Sequence, residues 1–445
     1  MKLWQKDKTS LKAVEKFTVG RDQEMDLYLA PFDVLGSLAH IAMLESINLL
    51  SKDEYEQLAG ALRDIYGSIE SGNFQVAEGV EDIHSQVELL LTEKLGDIGK
   101  KIHSGRSRND QVLVDIKLYL RAEIETIVGE VKRLFDLLVS LSEKHRDDLL
   151  PGYTHFQLAM PSSFGLWFGA YAESFVDDLI TMRAAYRVVN KNPLGSAAGY
   201  GSSFPLNRTM TTRLLGFEDL NYNVVYAQMG RGKTERIVAS AFSNLAATLS
   251  RLSQDACIFL NQHFAFIAFP DELTTGSSIM PHKKNPDVFE LVRARCNQLM
   301  ALPNDIALVM ANLPSGYHRD MQLLKEMLFP AIQSLKDCLR MVHLMLEHVE
   351  VRRDILKDDR YKYLFSVEEV NKLVLAGVPF RDAYRQVGLS IEKGNYDPDT
   401  AIRHTHEGSI GNLCLPEIQR NMQNEIEAFG FGQSHAAIAA LLKRA

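Results

Sequence analysis

The stretch from Val112 to Leu141 limits what this chain can fold into more than any other. Val112, Ile116, Leu120, Ile124, Ile127, Val131, Leu134, Leu138 and Leu141 recur at steps of three and four, which keeps one apolar stripe on a single helix face. The stripe lasts about thirty residues, or roughly 45 Å at 1.5 Å per residue. A soluble helix of that length marks a bundle. Four more stripes follow, over 161–190, 234–264, 286–311 with Pro303 as a kink, and 320–349. In the last, Leu324, Leu328, Ile332, Leu335, Leu339, Val342, Leu346 and Val349 hold the same spacing. No convincing strands separate them, so the expected fold is all-α, with the long helices at its centre.

The flanks are shorter-ranged. Residues 1–32 are weakly patterned and read as an arm with short helices, and the helical period begins at Asp33. Ser51 with Glu54 makes a capping box, Tyr55, Leu58, Leu62, Ile65 and Ile69 form one stripe, and Ser71-Gly72-Asn73 closes it. Asp358-Asp359-Arg360 marks a boundary. The expected division is an N-terminal helical domain over 1–106, a central bundle over 107–357 and a C-terminal helical domain over 358–445, in line with about 150 residues per domain. Val114, Leu118, Val128 and Phe135 lie off the main stripe, so association with further copies is expected.

Composition narrows the partners. A net charge of −8 gives no support to a general nucleic-acid binder. The cysteines at 257, 296, 338 and 414 are far apart with no CxxC spacing, which speaks against a zinc site or disulfide framework and for a reducing compartment. The opening MKLWQKDKTSLK is charged where a signal peptide needs an apolar run, and no window of eighteen apolar residues exists. The expected location is cytoplasmic, without a membrane partner.

The unusual residues lie in the breaks between helices. In GSSIMPHKKNPDVFE, 276–290, Gly276 lets the backbone bend so that N–H groups approach an anion, and Lys283 offers a compact positive charge. Pro286 suits a first helical turn, where Asp287 and Glu290 meet the macrodipole. In GKKIHSGRSRNDQV, 99–112, Arg106 and Arg108 offer forked donors for carboxylates, Asn109 offers an amide, and Ser107, Asn109 and Asp110 are each suited to cap the long helix. In PGYTHF, 151–156, His155 titrates near neutrality, as proton transfer requires. Taken singly, each is equally an ordinary polar loop or helix start. AQMGRGKT, 227–234, fits a relaxed phosphate-loop pattern after Val224-Val225-Tyr226, but that loop needs a parallel sheet the chain does not offer.

Taken together, the strings carry a resemblance. Residues 276–290 match the G-S-S-x-M-P-x-K-x-N-P-x-x-x-E signature of the fumarase/aspartase superfamily, whose members release fumarate. GRSRNDQ at 105–111, PGYTH at 151–155, Tyr317, Gln322 and Lys325 within LPSGYHRDMQLLK, FDVLGSLAH at 32–40, EDIH at 81–84 and GVPFR at 377–381 resemble the argininosuccinate lyases within it. Departures are the missing W-G-G-R-F after Trp4, Leu158 and Met160, residues 222–236, His282, and Leu323-Leu324. They leave a sister lyase acting on adenylosuccinate as the nearest alternative, with a catalytically silent helical bundle behind it.

The resemblance implies a three-domain helical fold, assembled as a homotetramer around a twenty-helix core with each active site drawn from three chains. It implies reversible β-elimination of argininosuccinate, a small-molecule substrate, to arginine and fumarate, with no metal or organic cofactor. Ser277 is then the base, His155 oriented by Glu290 serves the departing nitrogen, and Lys283, Asn285 and the 276–278 backbone steady the developing charge. Ser37, Arg108, Asn109 and Thr154 hold the carboxylates and amino-acid portion, and Tyr317, Gln322 and Lys325 contact the arginine side.

Overall fold

The computed structural model describes residues 12–77 and 79–443. The charged opening and Trp4 lie outside the described residues. The five long helices run over Arg108–Lys144, Phe164–Val189, Lys233–Leu260, Asp287–Met310 and Leu323–Glu347. Pro303 lies inside the fourth, and Pro330 inside the fifth. Ser107 is the cap of the first: its hydroxyl accepts the Asn109 N–H at 3.2 Å, and the Asp110 carboxylate accepts the Ser107 N–H at 2.8 Å. The Ser51 capping box also forms, ahead of the Lys52–Glu70 helix.

Arg108–Lys144 is the axis of the molecule. It packs against Phe164–Val189, against Leu323–Glu347 and, at its N-terminal half, against Ala30–Ser46. Gly36 permits that last approach, since a Cβ there would lie 3.2 Å from Val114 Cγ1. One consequence corrects an expectation. Val114, Leu118, Val128 and Phe135 are at most 2% exposed within a single chain, so they leave nothing for another copy to cover. Val114 and Leu118 are buried in the N-terminal apolar cluster, and Val128 and Phe135 in the cluster of the long helices. Uncovered apolar surface lies instead on other elements, at Ile180, Leu291 and Leu308, which are 44%, 60% and 66% exposed.

Strands are few, but one pair matters. Leu149–Thr154 and Gln157–Ser163 form an antiparallel hairpin, where the sequence pattern showed only a break. Its two turn residues, His155 and Phe156, take φ of 54° and 59°, the left-handed twist that a two-residue hairpin turn demands. Helix Phe164–Val189 follows at once, capped by the Ser163 hydroxyl on the Leu166 N–H. Residues 224–229 are helical rather than a strand, which removes the sheet that a phosphate loop would require.

Toward the C-terminus, Leu415–Glu427 packs on Phe164–Val189 and is pinned by Arg183 to Glu425 at 2.8 Å. Phe431–Leu442 returns to the N-terminal helices, where Arg63 Nε donates to the Leu441 carbonyl at 3.1 Å. Val370, Ala383 and Val387 form a small core of their own. All four cysteines are free, and no single described helix is long and apolar enough to cross a membrane.

Lys117 ties the axis to the 191–221 segment. It is 3% exposed, and its Nζ donates to Asn221 Oδ1 at 2.7 Å and to the Lys191 carbonyl at 2.9 Å, with no carboxylate in ion-pair range among the described residues. Burial therefore pulls the ammonium down to about 7. Above that value the folded chain holds fewer protons here than the unfolded chain, whose lysine titrates near 10.4, so this group adds stability as pH rises through the interval. Denaturant midpoints at pH 7 and pH 9.5 should thus rise more in the parent than in Lys117→Met. An equal change in both would remove Lys117 as the source.

Candidate active site

A cavity of about 240 Å³ lies where the starts of Ile83–Leu95, Arg108–Lys144 and Leu323–Glu347 converge, with residues 19–26 along one side. Of the residues expected to bind substrate, Arg108, Asn109, Tyr317, Gln322 and Lys325 line it. The first two lie more than 200 residues before the other three in sequence, and the long helices bring the two groups together.

Charge on these walls is largely paired. Arg108 Nη1 lies 2.9 Å from Asp82 and 3.5 Å from Glu81, and its Nη2 donates to Ser85 Oγ at 2.6 Å. Lys325, 4% exposed, bridges Asp22 and Asp26. Burial opposes its charge, but Asp26 and Asp22 outweigh that and raise its pKa. Gln322 Nε2 donates to the carbonyls of Thr18 at 3.0 Å and Val19 at 3.1 Å, so residues 18–26 hold the side chains expected to meet the arginine side. The Asn109 amide and the Tyr317 hydroxyl make no hydrogen bond among the described residues and stand ready to meet a ligand.

Ser37 does not belong to this wall. It is fully buried in Ala30–Ser46, and its hydroxyl accepts from Arg106 Nη1 at 2.9 Å. There it steadies Arg106, which does not itself line the cavity.

The other expected residues lie on two separate exposed surfaces, and none of them lines the cavity. Thr154 and His155 occupy the hairpin tip, beside Phe156 at 89% exposure. Ser277, Lys283 and Asn285 belong to the segment leading into Asp287–Met310, and Glu290 lies in the first turn of that helix. In that segment the Ser277 hydroxyl accepts the N–H groups of Ile279 at 3.3 Å and Met280 at 3.2 Å, which are not the 276–278 amides expected to face an anion. The Asn285 N–H donates to the Thr275 carbonyl at 2.8 Å and closes the neck of this loop. Pro286 stands one residue earlier than expected, at the cap, because the helix starts at Asp287. The side chains of Glu290 and His155 make no hydrogen bond or ion pair among the described residues.

Of the cavity residues that the sequence reading gave no role, two bear on the chemistry. His84 sat in a matched string without a role. Arg231 sat in the phosphate-loop decoy, yet it is 2% exposed, lies 2.8 Å from Glu235 through Nε and donates from Nη2 to the Met321 carbonyl at 2.9 Å. The EDIH spacing was the only available signal for His84, and nothing in the sequence marked Arg231.

Comparison with known proteins identifies the family. A family model described as lyase matches residues 5–301. The argininosuccinate lyase of Bacteroides fragilis is 62% identical over 443 residues, covering 100% of this chain and 99% of its own. That of Thermotoga neapolitana is 38% identical over 386 residues, covering 87% and 97%. Among solved structures, an EDDS lyase variant with bound fumarate superposes with a TM-score of 0.75 at 19% identity, over 93% of this chain and 92% of that one. The class II fumarase of Schistosoma mansoni gives 0.68 at 16% identity, over 84% and 88%, so the shared fold extends across the superfamily. On full-length identity of this degree, the chain belongs to the argininosuccinate lyase family, the carbon–nitrogen lyases of the fumarase/aspartase superfamily.

Proposed function

We propose that this chain splits argininosuccinate into arginine and fumarate by reversible β-elimination. The observation that carries the reading is the cavity that gathers Arg108, Asn109, Tyr317, Gln322 and Lys325, in a chain 62% identical to a named argininosuccinate lyase. Such a substrate has carboxylates at both ends and a guanidinium between, and the cavity offers acids and bases together.

The difficult step is removal of a weakly acidic proton from the carbon next to a succinyl carboxylate. Ser277 takes it, and the electron pair left behind spreads into that carboxylate as a doubly charged form. The pair then forms the double bond of fumarate as the carbon–nitrogen bond breaks. The guanidino nitrogen leaves with a proton supplied at His155, directly or through water. Because the barrier is charge build-up, Lys283, Asn285 and the 276–278 amides act by being aimed at that charge beforehand.

For these groups to meet, three surfaces must come from neighbouring copies. The hairpin tip with His155, the loop with Ser277 and the Asn109 wall are apart in one chain, and each exposed surface carries apolar side chains suited to an interface. Phe156 and Ile279 are 89% and 82% exposed, and Leu291 and Leu308 on Asp287–Met310 are exposed as well. These exposed apolar side chains support a homotetramer with shared sites.

Ultraviolet detection of fumarate tests the reaction. Argininosuccinate should yield it and adenylosuccinate should not; the reverse pattern would move the chain to the sister lyase, and silence with both would leave only the fold.

A further inference from the structure

His84 stands where three helices meet. It lies in the first turn of Ile83–Leu95 and is 7% exposed. Its Nδ1 is 2.8 Å from Asp33 Oδ1 on Ala30–Ser46 and 3.6 Å from Asp115 Oδ2 on Arg108–Lys144. Asp33 and Asp115 are 2% and 1% exposed, and Asp33 Oδ2 and both Asp115 oxygens have no hydrogen-bond partner among the described residues. Two adjacent buried carboxylates of this kind require a cation between them. Burial pushes the imidazole down, but Asp33, Asp115 and Asp82 outweigh it and hold the ring's pKa at about 10. Arg106, beneath the same wall, acts on both Asp33 and Asp115 as a further positive charge.

The Nδ1 proton is therefore committed to Asp33. Nε2 lies on the other edge of the ring, has no partner among the described residues and is not among the sealed, unpaired buried atoms. His84 also lines the cavity with Arg108, Asn109 and Tyr317. A ring anchored through one nitrogen by buried carboxylates, with its second N–H open to a cavity, is a preorganised anion donor.

We propose that His84 is a carboxylate-binding residue of this active site, its Nε2–H donating to a substrate carboxylate while Asp33 fixes the ring through Nδ1. This rests on the reading of the cavity as part of the substrate site. The carboxylate belongs either to the fumarate half or to the arginine half, and the test separates them.

His84→Gln keeps much of the bulk and one donor but loses the charge. Its KM for argininosuccinate should rise about ten- to a hundredfold, the range for a lost charge-assisted bond, with a smaller change in kcat. The inhibition constant of either fumarate or arginine should rise in parallel, and whichever does so names the half that His84 holds. Asp115→Asn supplies a second arm that leaves the ring in place. It removes one carboxylate that keeps the ring charged, so its KM should climb between pH 6 and pH 9 while the parent's stays flat. A purely structural ring would lower the melting temperature without producing either KM effect. Asn109→Ala serves as the reference for the cavity. Unchanged KM in His84→Gln beside a raised KM in Asn109→Ala overturns the role of His84, whereas unchanged KM in both overturns the cavity reading and this inference with it.

Discussion

Ser277→Ala is expected to lose about three orders of magnitude in kcat, as befits removal of the group proposed to accept the proton. Folding should be untouched. Ser277 lies on an exposed segment, and its hydroxyl makes only two long bonds, to Ile279 and Met280 N–H at 3.3 and 3.2 Å. Loss of such solvated contacts stays within about half a kcal/mol. Steady-state kinetics and a thermal melt on the same preparation check both halves of the expectation. Turnover within a few-fold of the parent would take serine out of the mechanism, and a collapsed melting temperature would show that the loop is structural.

The second large effect depends on assembly. Ser277→Ala and Asn109→Ala should each be nearly inactive alone, since both groups are needed in every site. Mixed as subunits of one tetramer, some sites would draw Ser277 from one copy and Asn109 from another, and those sites would hold a complete wild-type set. Activity should then return to on the order of a tenth of the parent, about a hundredfold above either variant. The check is to unfold and refold the two variants together, or to express them together, and assay the product of matching sedimentation. Mixed tetramers as inactive as the separate variants would mean that each site is built within one subunit. An active species sedimenting at the 50.1-kDa mass of one chain would end the shared-site reading altogether.

The site was legible in part, and the reason differs between its parts. Asn109, Tyr317, Gln322 and Lys325 were recognisable from their strings, and the cavity unites them. Ser37 was equally recognisable but sits beneath Arg106, because a string conveys residue types and not which side of a wall they occupy. His84 was passed over because a histidine has no visible task until Asp33 and Asp115 are brought to it from other helices. Arg231 was hidden in a decoy whose glycines and lysine pointed to phosphate. The hairpin at 149–163 was missed because its strands are short, and its turn residues, His155 and Phe156, are not the Asn-Gly pair that announces such a turn.

Periodicity is local, and here it was enough for the long helices. The stripe from Val112 to Leu141 needs only a helical backbone and an apolar side to lean on, and both are written in steps of three and four, so length, order and all-α character were available before any coordinates. Coverage of the opposite face is not local. Val114 and Leu118 are hidden because Ala30–Ser46 comes within reach of them, allowed by the missing side chain at Gly36, while Leu291 and Leu308 on an equally regular helix are left bare. Whether an apolar flank is core or interface, and whether a buried histidine is charged, depends on which distant segments arrive beside it. Only the packed chain decides that, since both burial energy and electrostatic field are set by neighbours in space.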